Sequence, residues 1–191
     1  MMKQLLAALI AVLLPASLHA ADAPRPARPN ILFIVADDMG YGDCGVHGCP
    51  DVPTPHVDSI AAAGVRFTNG YVTGAVCSPS RAALMTGRHQ LRDGVPDWIH
   101  PGARGLDADV PTIAAYLRKA GYRTGAVGKW HLGEAQQCQP LNRGFDEFFG
   151  FFGGGRNYFP DPPRKPDAKI NHYTQLVRGS EPVVENEYTT H

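Results

Sequence analysis

The sequence contains few cysteines, and their spacing excludes the usual thiolate patterns of a structural zinc site. Four occur among 191 residues, and no two of them form a Cys-x-x-Cys pair: Cys44, Cys49, Cys77 and Cys138. In an oxidising compartment Cys44 and Cys49 can pair as a disulfide, and unpaired thiols are equally consistent with the sequence. The cysteine count therefore settles neither the redox state nor the function.

An excess of charge of either sign is also absent. The 18 Lys and Arg side chains balance 18 Asp and Glu side chains, so the formal net charge is zero. This balance gives no reason to expect nucleic acid or an anionic membrane surface as a partner. The apolar fraction of 43% is ordinary for a folded protein and argues against disorder. The length allows one modest domain or a piece of a larger one.

The apolar run near the N-terminus, residues 5–14, is too short to span a bilayer, so stable membrane insertion is not expected. It follows a lysine, and Pro15 and several small residues come after it, as in a secretory signal peptide. We therefore predict a signal peptide over residues 1–20 and a secreted or periplasmic protein. Residues 21–29 form a Pro-rich leader, and the folded region is expected over residues 30–191.

Two adjacent aspartates follow the first strong strand signal. Asn30–Ala36 is almost continuously apolar, which predicts a strand buried on both faces of a parallel sheet. Asp37 and Asp38 come directly after it, at the strand end where α/β sheets bind ligands. Oxygen ligands of this kind favour a hard cation, calcium or magnesium. A pair of solvated turn aspartates explains the same spacing equally well.

The segment Cys77-Ser78-Pro79-Ser80-Arg81 predicts the start of a short helix. Ser78 is a good N-cap, Pro79 suits the first helical position, and Gly87 is a plausible end. Cys77 then lies where free N–H groups and the helix dipole favour an anion, and Arg81 adds a positive charge one turn later. The alternative is a buried or N-capping cysteine in an ordinary helix.

A third group of polar residues follows a predicted strand that ends near Gly128. Because side chains alternate along a strand, Lys129 and His131 are expected on the same side of it. The alternative is an exposed lysine and a histidine that only makes structural hydrogen bonds. Other expected elements are helices over Thr54–Gly64 and Pro111–Ala120, a strand over Val65–Val72, and a hairpin within residues 173–184.

Three of these segments together resemble the type I sulfatases. The sequence from Cys77 to Arg81 is similar to the Cys-x-Pro-x-Arg signature of that family, and residues 29–43 are similar to its N-terminal segment. Residues 128–133, Gly-Lys-Trp-His-Leu-Gly, are similar to a third family element, and residues 142–150 to the segment that follows it. The resemblance implies an alkaline-phosphatase-like α/β fold, a mixed and mostly parallel sheet with helices on both faces.

The resemblance also implies a reaction. A formylglycine-generating enzyme would oxidise Cys77 to formylglycine, whose hydrated aldehyde attacks the sulfur of a sulfate monoester in an aryl sulfate or a sulfated glycan. Asp37, Asp38 and residue 77 would bind calcium, and Arg81 would position the nucleophile. These assignments follow from the family motifs and not from spacing alone.

The third motif implies roles for two further residues. Lys129 would bind a sulfate oxygen of the substrate and contact the formylglycine, and His131 would assist turnover of the hydrated aldehyde. Four residues in the loops around these motifs are expected to contact a sulfated glycan at the rim of the site: Trp98, His100, Arg156 and Tyr158.

The sequence also departs from the family pattern. Sulfatases carry further calcium ligands, an Asp–Asn pair near an Asp-His-Gly element, and in addition another His and Lys, and none of these occurs here. Residues 30–191 are therefore interpreted as the N-terminal part of a sulfatase catalytic domain, truncated as in an incomplete gene, with weak or no turnover. The alternatives are a phosphatase or phosphonate hydrolase of the same superfamily and an inactive secreted fragment.

Overall fold

The computed structural model describes residues 28–158 and 173–184. The chain divides into two compact units, Met1–Arg66 and Phe67–His191. The predicted signal peptide over residues 1–20 lies outside the described residues. Three α-helices and four strands are present in the described part: α1 Pro55–Ala63, α2 Cys77–Thr86, α3 Ile113–Lys119, β1 Gly125–Lys129, β2 Glu147–Phe151, β3 Val177–Arg178 and β4 Glu181–Pro182.

In the first unit, α1 is held to the preceding loop by polar side chains. The helix lies between Thr54 and Gly64, as the sequence predicts. The Asp58 carboxylate accepts the Val46 N–H at 2.7 Å and the Thr54 hydroxyl at 3.1 Å. The same Thr54 oxygen accepts the N–H of Gly45 at 2.8 Å. Backbone groups of the loop are thereby satisfied by two side chains of the helix region.

The predicted strand over Asn30–Ala36 is wrong for the described chain. These residues have no regular secondary structure and no strand partner, and Leu32 is 85% exposed. An apolar run becomes a strand only when neighbouring strands satisfy its backbone, and all pairings in the described residues join β1 to β4. The predicted strand over Val65–Val72 is absent from the structure for the same reason.

A four-stranded mixed sheet organises the second unit, with the order β1-β2-β3-β4. β1 and β2 are parallel, with Gly125 opposite Glu147 and Lys129 opposite Phe151. The two later pairings are antiparallel, and β3 and β4 form the predicted hairpin. A mixed sheet with helices is confirmed, although in the described residues only one pairing is parallel.

The core of this unit lies between the sheet and the segments that precede it. Leu106, Leu132 and Phe152 are almost completely buried, and Ala82 attaches α2 to the same cluster. The ring of Trp130 packs edge-on against Phe145, with ring centroids 5.9 Å apart. This core fixes the end of β1, and the segment that follows it, relative to α2.

Helix α3 lies where the sequence predicts it, but it buries a different face. The sequence predicts one apolar stripe formed by Ile113, Tyr116, Leu117 and Ala120. The structure instead buries Ala114 and leaves Ile113 and Tyr116 exposed. Gly144 explains the difference, because a Cβ there would lie only 2.4 Å from the backbone nitrogen of Ala115. At such a close approach of two backbones only small side chains fit. Across residues 28–158 and 173–184, no helix is both long and apolar enough to cross a membrane.

Candidate active site

Helix α2 begins at Cys77, two residues earlier than its capping pattern predicts. Val76 is the N-cap, so the prediction of Ser78 as the cap is wrong. The Ser78 hydroxyl instead accepts the backbone N–H of Ile99 at 2.9 Å in the buried interior. Pro79 remains acceptable because it still lies in the first turn, where N–H groups lack helical partners. Cys77 therefore occupies the first helical position, with its side chain partly exposed.

Arg81 lies one turn further along α2 and reaches the end of β1. Its Nη1 donates to the backbone carbonyl oxygen of Lys129 at 2.5 Å. Both residues are partly buried. The structure therefore brings Arg81 and Lys129 together, and two positively charged residues lie where α2 meets the end of β1.

His131 is buried, and its backbone has an uncommon conformation. Only 1% of the residue is exposed, and its φ is 55°, in the left-handed region. Among the described residues, Asp38 is the other non-glycine residue with a positive φ. Strand β1 ends at Lys129, so the extended geometry from which Lys129 and His131 were predicted to share a side does not reach His131. Such strained positions persist when the surroundings hold them, and they are concentrated at functional sites.

Main-chain contacts hold His131 in this conformation. Its N–H donates to the carbonyl oxygen of Phe152 at 3.0 Å, and its Nε2 lies 3.0 Å from the carbonyl oxygen of Ile99. A carbonyl oxygen can only accept, so in the neutral ring Nε2 carries the hydrogen and Nδ1 is the acceptor.

Ile99 connects the two chemically important elements through its backbone alone. Its N–H binds Ser78, the neighbour of Cys77, and its carbonyl oxygen binds His131. One residue therefore links the first turn of α2 to the buried imidazole. Sequence patterns gave no sign of this link, because peptide groups are the same at every position.

Tyr173 is a site residue that the sequence motifs missed. Its hydroxyl lies 3.1 Å from His131 Nε2 and 3.5 Å from the Ile99 carbonyl oxygen. Burial raises the pKa of Tyr173, a hydrogen bond from the Gly154 backbone partly opposes this effect, and the carboxylate of Glu134 raises the pKa further. The hydroxyl is therefore protonated at neutral pH. No motif surrounds this tyrosine, and only the fold brings it to His131.

The predicted rim residues fall into two pairs. The rings of Trp98 and His100 are 4.0 Å apart, and Trp98 packs against His131 with centroids 6.3 Å apart. Arg156 donates to the carbonyl oxygen of Thr174 at 2.8 Å, beside Tyr173. Tyr158 is exposed. The first pair is therefore in contact with the candidate site.

The two aspartates predicted to bind a metal lie in the first unit, where Asp37 and Asp38 are exposed. Their carboxylates have the oxygen chemistry of a hard-cation site. Within the described ranges, however, no group of three or more His, Cys, Asp or Glu side chains is arranged to hold a metal ion. The described residues therefore fit part of a ligand set and do not complete one.

All four cysteines are unpaired thiols. Cys44 and Cys138 are buried, and Cys44 donates to the Met39 sulfur at 3.5 Å. The sequence left open both a Cys44–Cys49 disulfide and unpaired thiols, and the structure has unpaired thiols. Cys77 is thus not masked by a disulfide.

Comparison with known families agrees with this arrangement. The model of the sulfatase family matches residues 29–180. This match includes the four segments that resemble the family and the strands β1, β2 and β3, and the chain therefore belongs to the sulfatase family.

Individual relatives and solved structures show the same similarity. The N-acetylgalactosamine-6-sulfatase of Canis lupus familiaris is 44% identical over 154 residues, 74% of this chain and 28% of the relative. Arylsulfatase A of Bos taurus is 47% identical over 135 residues, 69% of this chain and 27% of the relative. The crystal structure of Ps i-CgsB superposes with a TM-score of 0.74 at 40% identity, covering 82% of this chain and 37% of that one. The chain thus spans under a third of the length of these curated relatives.

Proposed function

We propose that the protein hydrolyses sulfate monoesters, with a formylglycine derived from Cys77 as the nucleophile. The observation that supports this most directly is the link from the first turn of α2 through Ile99 to His131. Through these two hydrogen bonds, Ile99 connects the helix turn that carries the partly exposed Cys77 to the buried imidazole of His131. The reaction takes a sulfate monoester and water to an alcohol and inorganic sulfate.

The charges near Cys77 suit a negatively charged transferring group. The Arg81 side chain lies on the same helix one turn from Cys77 and is anchored on Lys129. We propose that Arg81 orients the nucleophile and that Lys129 binds a sulfate oxygen. Fixed positive charges of this kind stabilise the transition state more than the substrate, because negative charge gathers there as the group transfers.

His131 is proposed to move a proton during turnover. With Nε2 bonded to the Ile99 carbonyl oxygen, a neutral His131 accepts a proton at Nδ1. The hydrated aldehyde at residue 77 must lose a proton when sulfate is expelled, and His131 is the group proposed to take it. Burial protects this step from competing water.

Calcium is part of the proposal through Asp37 and Asp38, with residue 77 as a further ligand. A bound divalent ion would add positive charge at the transferring group. A hard cation requires about six oxygen ligands, so these residues supply only part of its coordination sphere.

The substrate is proposed to be a sulfated glycan. One relative bears the name N-acetylgalactosamine-6-sulfatase, and Ps i-CgsB was also crystallised in complex with k-i-k-neocarrahexaose. The proposal further includes a formylglycine-generating enzyme as the partner in maturation. It also includes secretion or periplasmic export directed by residues 1–20.

The central test compares two esters of the same alcohol. The natural full-length protein is expected to turn over 4-nitrophenyl sulfate faster than 4-nitrophenyl phosphate, with loss of rate on chelation and recovery with Ca²⁺. Spectrophotometric kcat/KM values measure both reactions. A preference for the phosphate ester would assign the protein to the phosphatases of the superfamily instead.

Tyr173→Phe is expected to reduce kcat up to about tenfold and to leave KM nearly unchanged. The change removes a hydroxyl that contacts His131 but keeps the ring, and one hydrogen bond is worth about 0.5–1.5 kcal/mol. Steady-state kinetics on a sulfate ester provides the measurement. Tyr116→Phe, an exposed tyrosine on α3, is the matched control. An unchanged kcat in Tyr173→Phe would remove Tyr173 from the positioning of His131.

A further inference from the structure

The tripeptide Trp98-Ile99-His100 has a buried centre and two exposed aromatic ends. Ile99 is 7% exposed, whereas Trp98 is 42% exposed and His100 is also exposed. Large aromatic rings are usually buried for their apolar area, so an exposed pair of rings beside a reactive group requires an explanation.

Hydrogen bonds restrain the backbone of the segment that carries these two rings. Ile99 is bonded on one side to Ser78 and on the other to His131. The backbone N–H of Trp98 donates to the Asp97 carboxylate at 2.7 Å, and this bond further restricts the segment. A ring fixed before binding loses little conformational entropy when a ligand packs on it.

The rings of Trp98 and His100 also have a defined arrangement beside His131. Trp98 meets His131 edge to face at 6.3 Å, and His100 is tilted by 52° to Trp98 at 4.0 Å. The two rings therefore form a bent surface, with an apolar face on Trp98 and a polar nitrogen-bearing edge on His100. A ligand group on this surface is adjacent to His131.

We propose that Trp98 and His100 form a binding subsite for the pyranose ring of the substrate. The C–H face of the sugar packs on the Trp98 indole, and a ring hydroxyl hydrogen-bonds to the His100 imidazole. The sulfate ester on the same sugar then projects toward His131 and Cys77. This inference rests on the proposed sulfatase function and adds the sugar-binding residues to it. An aryl sulfate can pack on Trp98, but it offers no ring hydroxyl to His100.

Intrinsic fluorescence of the natural full-length protein tests the subsite without turnover. Of the two tryptophans in this chain, Trp130 is 4% exposed, so Trp98 is the one open to a ligand. N-acetylgalactosamine 6-sulfate and a neocarrageenan oligosaccharide are the probes, and inorganic sulfate is the comparison. Binding of either sugar is expected to change the emission, whereas inorganic sulfate is expected to leave it unchanged. Trp98→Phe identifies the part of the signal that belongs to Trp98.

Trp98→Ala is expected to weaken sugar binding about tenfold, measured as Kd by calorimetry, and Trp98→Phe to weaken it less. His100→Ala is expected to raise KM for a sugar sulfate more than KM for 4-nitrophenyl sulfate. Tyr71→Ala, at an exposed aromatic residue of the same unit, is the control for general loss of surface.

The outcomes separate this inference from the proposed function. Two results would overturn the subsite even if the protein hydrolyses sulfate esters. One is a Kd for both sugars that is unchanged in Trp98→Ala. The other is that neither sugar shows binding that depends on Trp98. Sugar binding that depends on Trp98, in a protein that hydrolyses no sulfate ester, would uphold the subsite and reject the reaction.

Discussion

Cys77→Ala lowers turnover of a sulfate ester at least about a thousandfold, since the proposed reaction loses its nucleophile. The natural full-length protein should also carry an aldehyde in place of the Cys77 thiol, whereas the variant has neither group. Initial rates with 4-nitrophenyl sulfate measure the first effect. Mass spectrometry of the peptide that contains residue 77 measures the second.

Cys49→Ala is the matched control, because it also removes an unpaired thiol but lies in the first unit. Its rate is expected to stay near that of the unaltered protein. Full activity in Cys77→Ala, or an unmodified thiol in a highly active protein, would contradict the proposed nucleophile. Because the side chain is only partly buried, misfolding is not expected to account for the loss.

Gly154→Ala is the second change with a large expected effect. A Cβ at this position would lie 2.5 Å from His131 Cε1 and 2.7 Å from the Tyr173 hydroxyl oxygen. His131 is buried, so the added methyl group displaces the imidazole and not solvent. A displacement of about 1 Å in a positioned group can cost a hundredfold in rate, and a loss of about that size in kcat/KM is expected.

The neighbouring glycine provides the control. No atom lies within 4 Å of a Cβ built on Gly155, so Gly155→Ala adds the same methyl group to open space. Thermal denaturation of both variants separates a local displacement from a loss of the fold. Equal rates for Gly154→Ala and Gly155→Ala would show that the position of His131 is not important for turnover.

Local signals predicted most of the helical structure. Thr54, Gly64 and Gly87 mark helix boundaries as the sequence predicts, and Gly87 ends its helix in the left-handed conformation that glycine favours. Asn30–Ala36 shows the limit of such reasoning. Its apolar run describes what a strand there would bury, whereas the existence of a strand depends on partners elsewhere in the chain.

Only part of the candidate site could be predicted from the sequence. Motif residues such as Cys77 and Arg81 were named from family resemblance, and the structure adds the bond that joins Arg81 to Lys129. Tyr173 could not be found, since 42 positions separate it from His131 and no local pattern connects them. The role of Asp37 and Asp38 remains a prediction.

The left-handed backbone at His131 was also beyond the sequence pattern. Alternation along a strand assumes that extended geometry continues, and nothing in Trp130-His131-Leu132 marks its end. The conformation results from bonds to Phe152 and Ile99, which lie far away in the sequence.

The bridge through Ile99 has a consequence for how such a protein can change over generations. Every amino acid carries a carbonyl oxygen, and all except proline carry the N–H, so both bonds are open to any apolar side chain that fits the buried position of Ile99. The side chains at 98 and 100 can meanwhile be exchanged without cutting the connection between Ser78 and His131. If the proposed function and subsite hold, the main chain of this tripeptide serves the reaction and its side chains select the ligand, so that a lineage can acquire new substrates without rebuilding its chemistry.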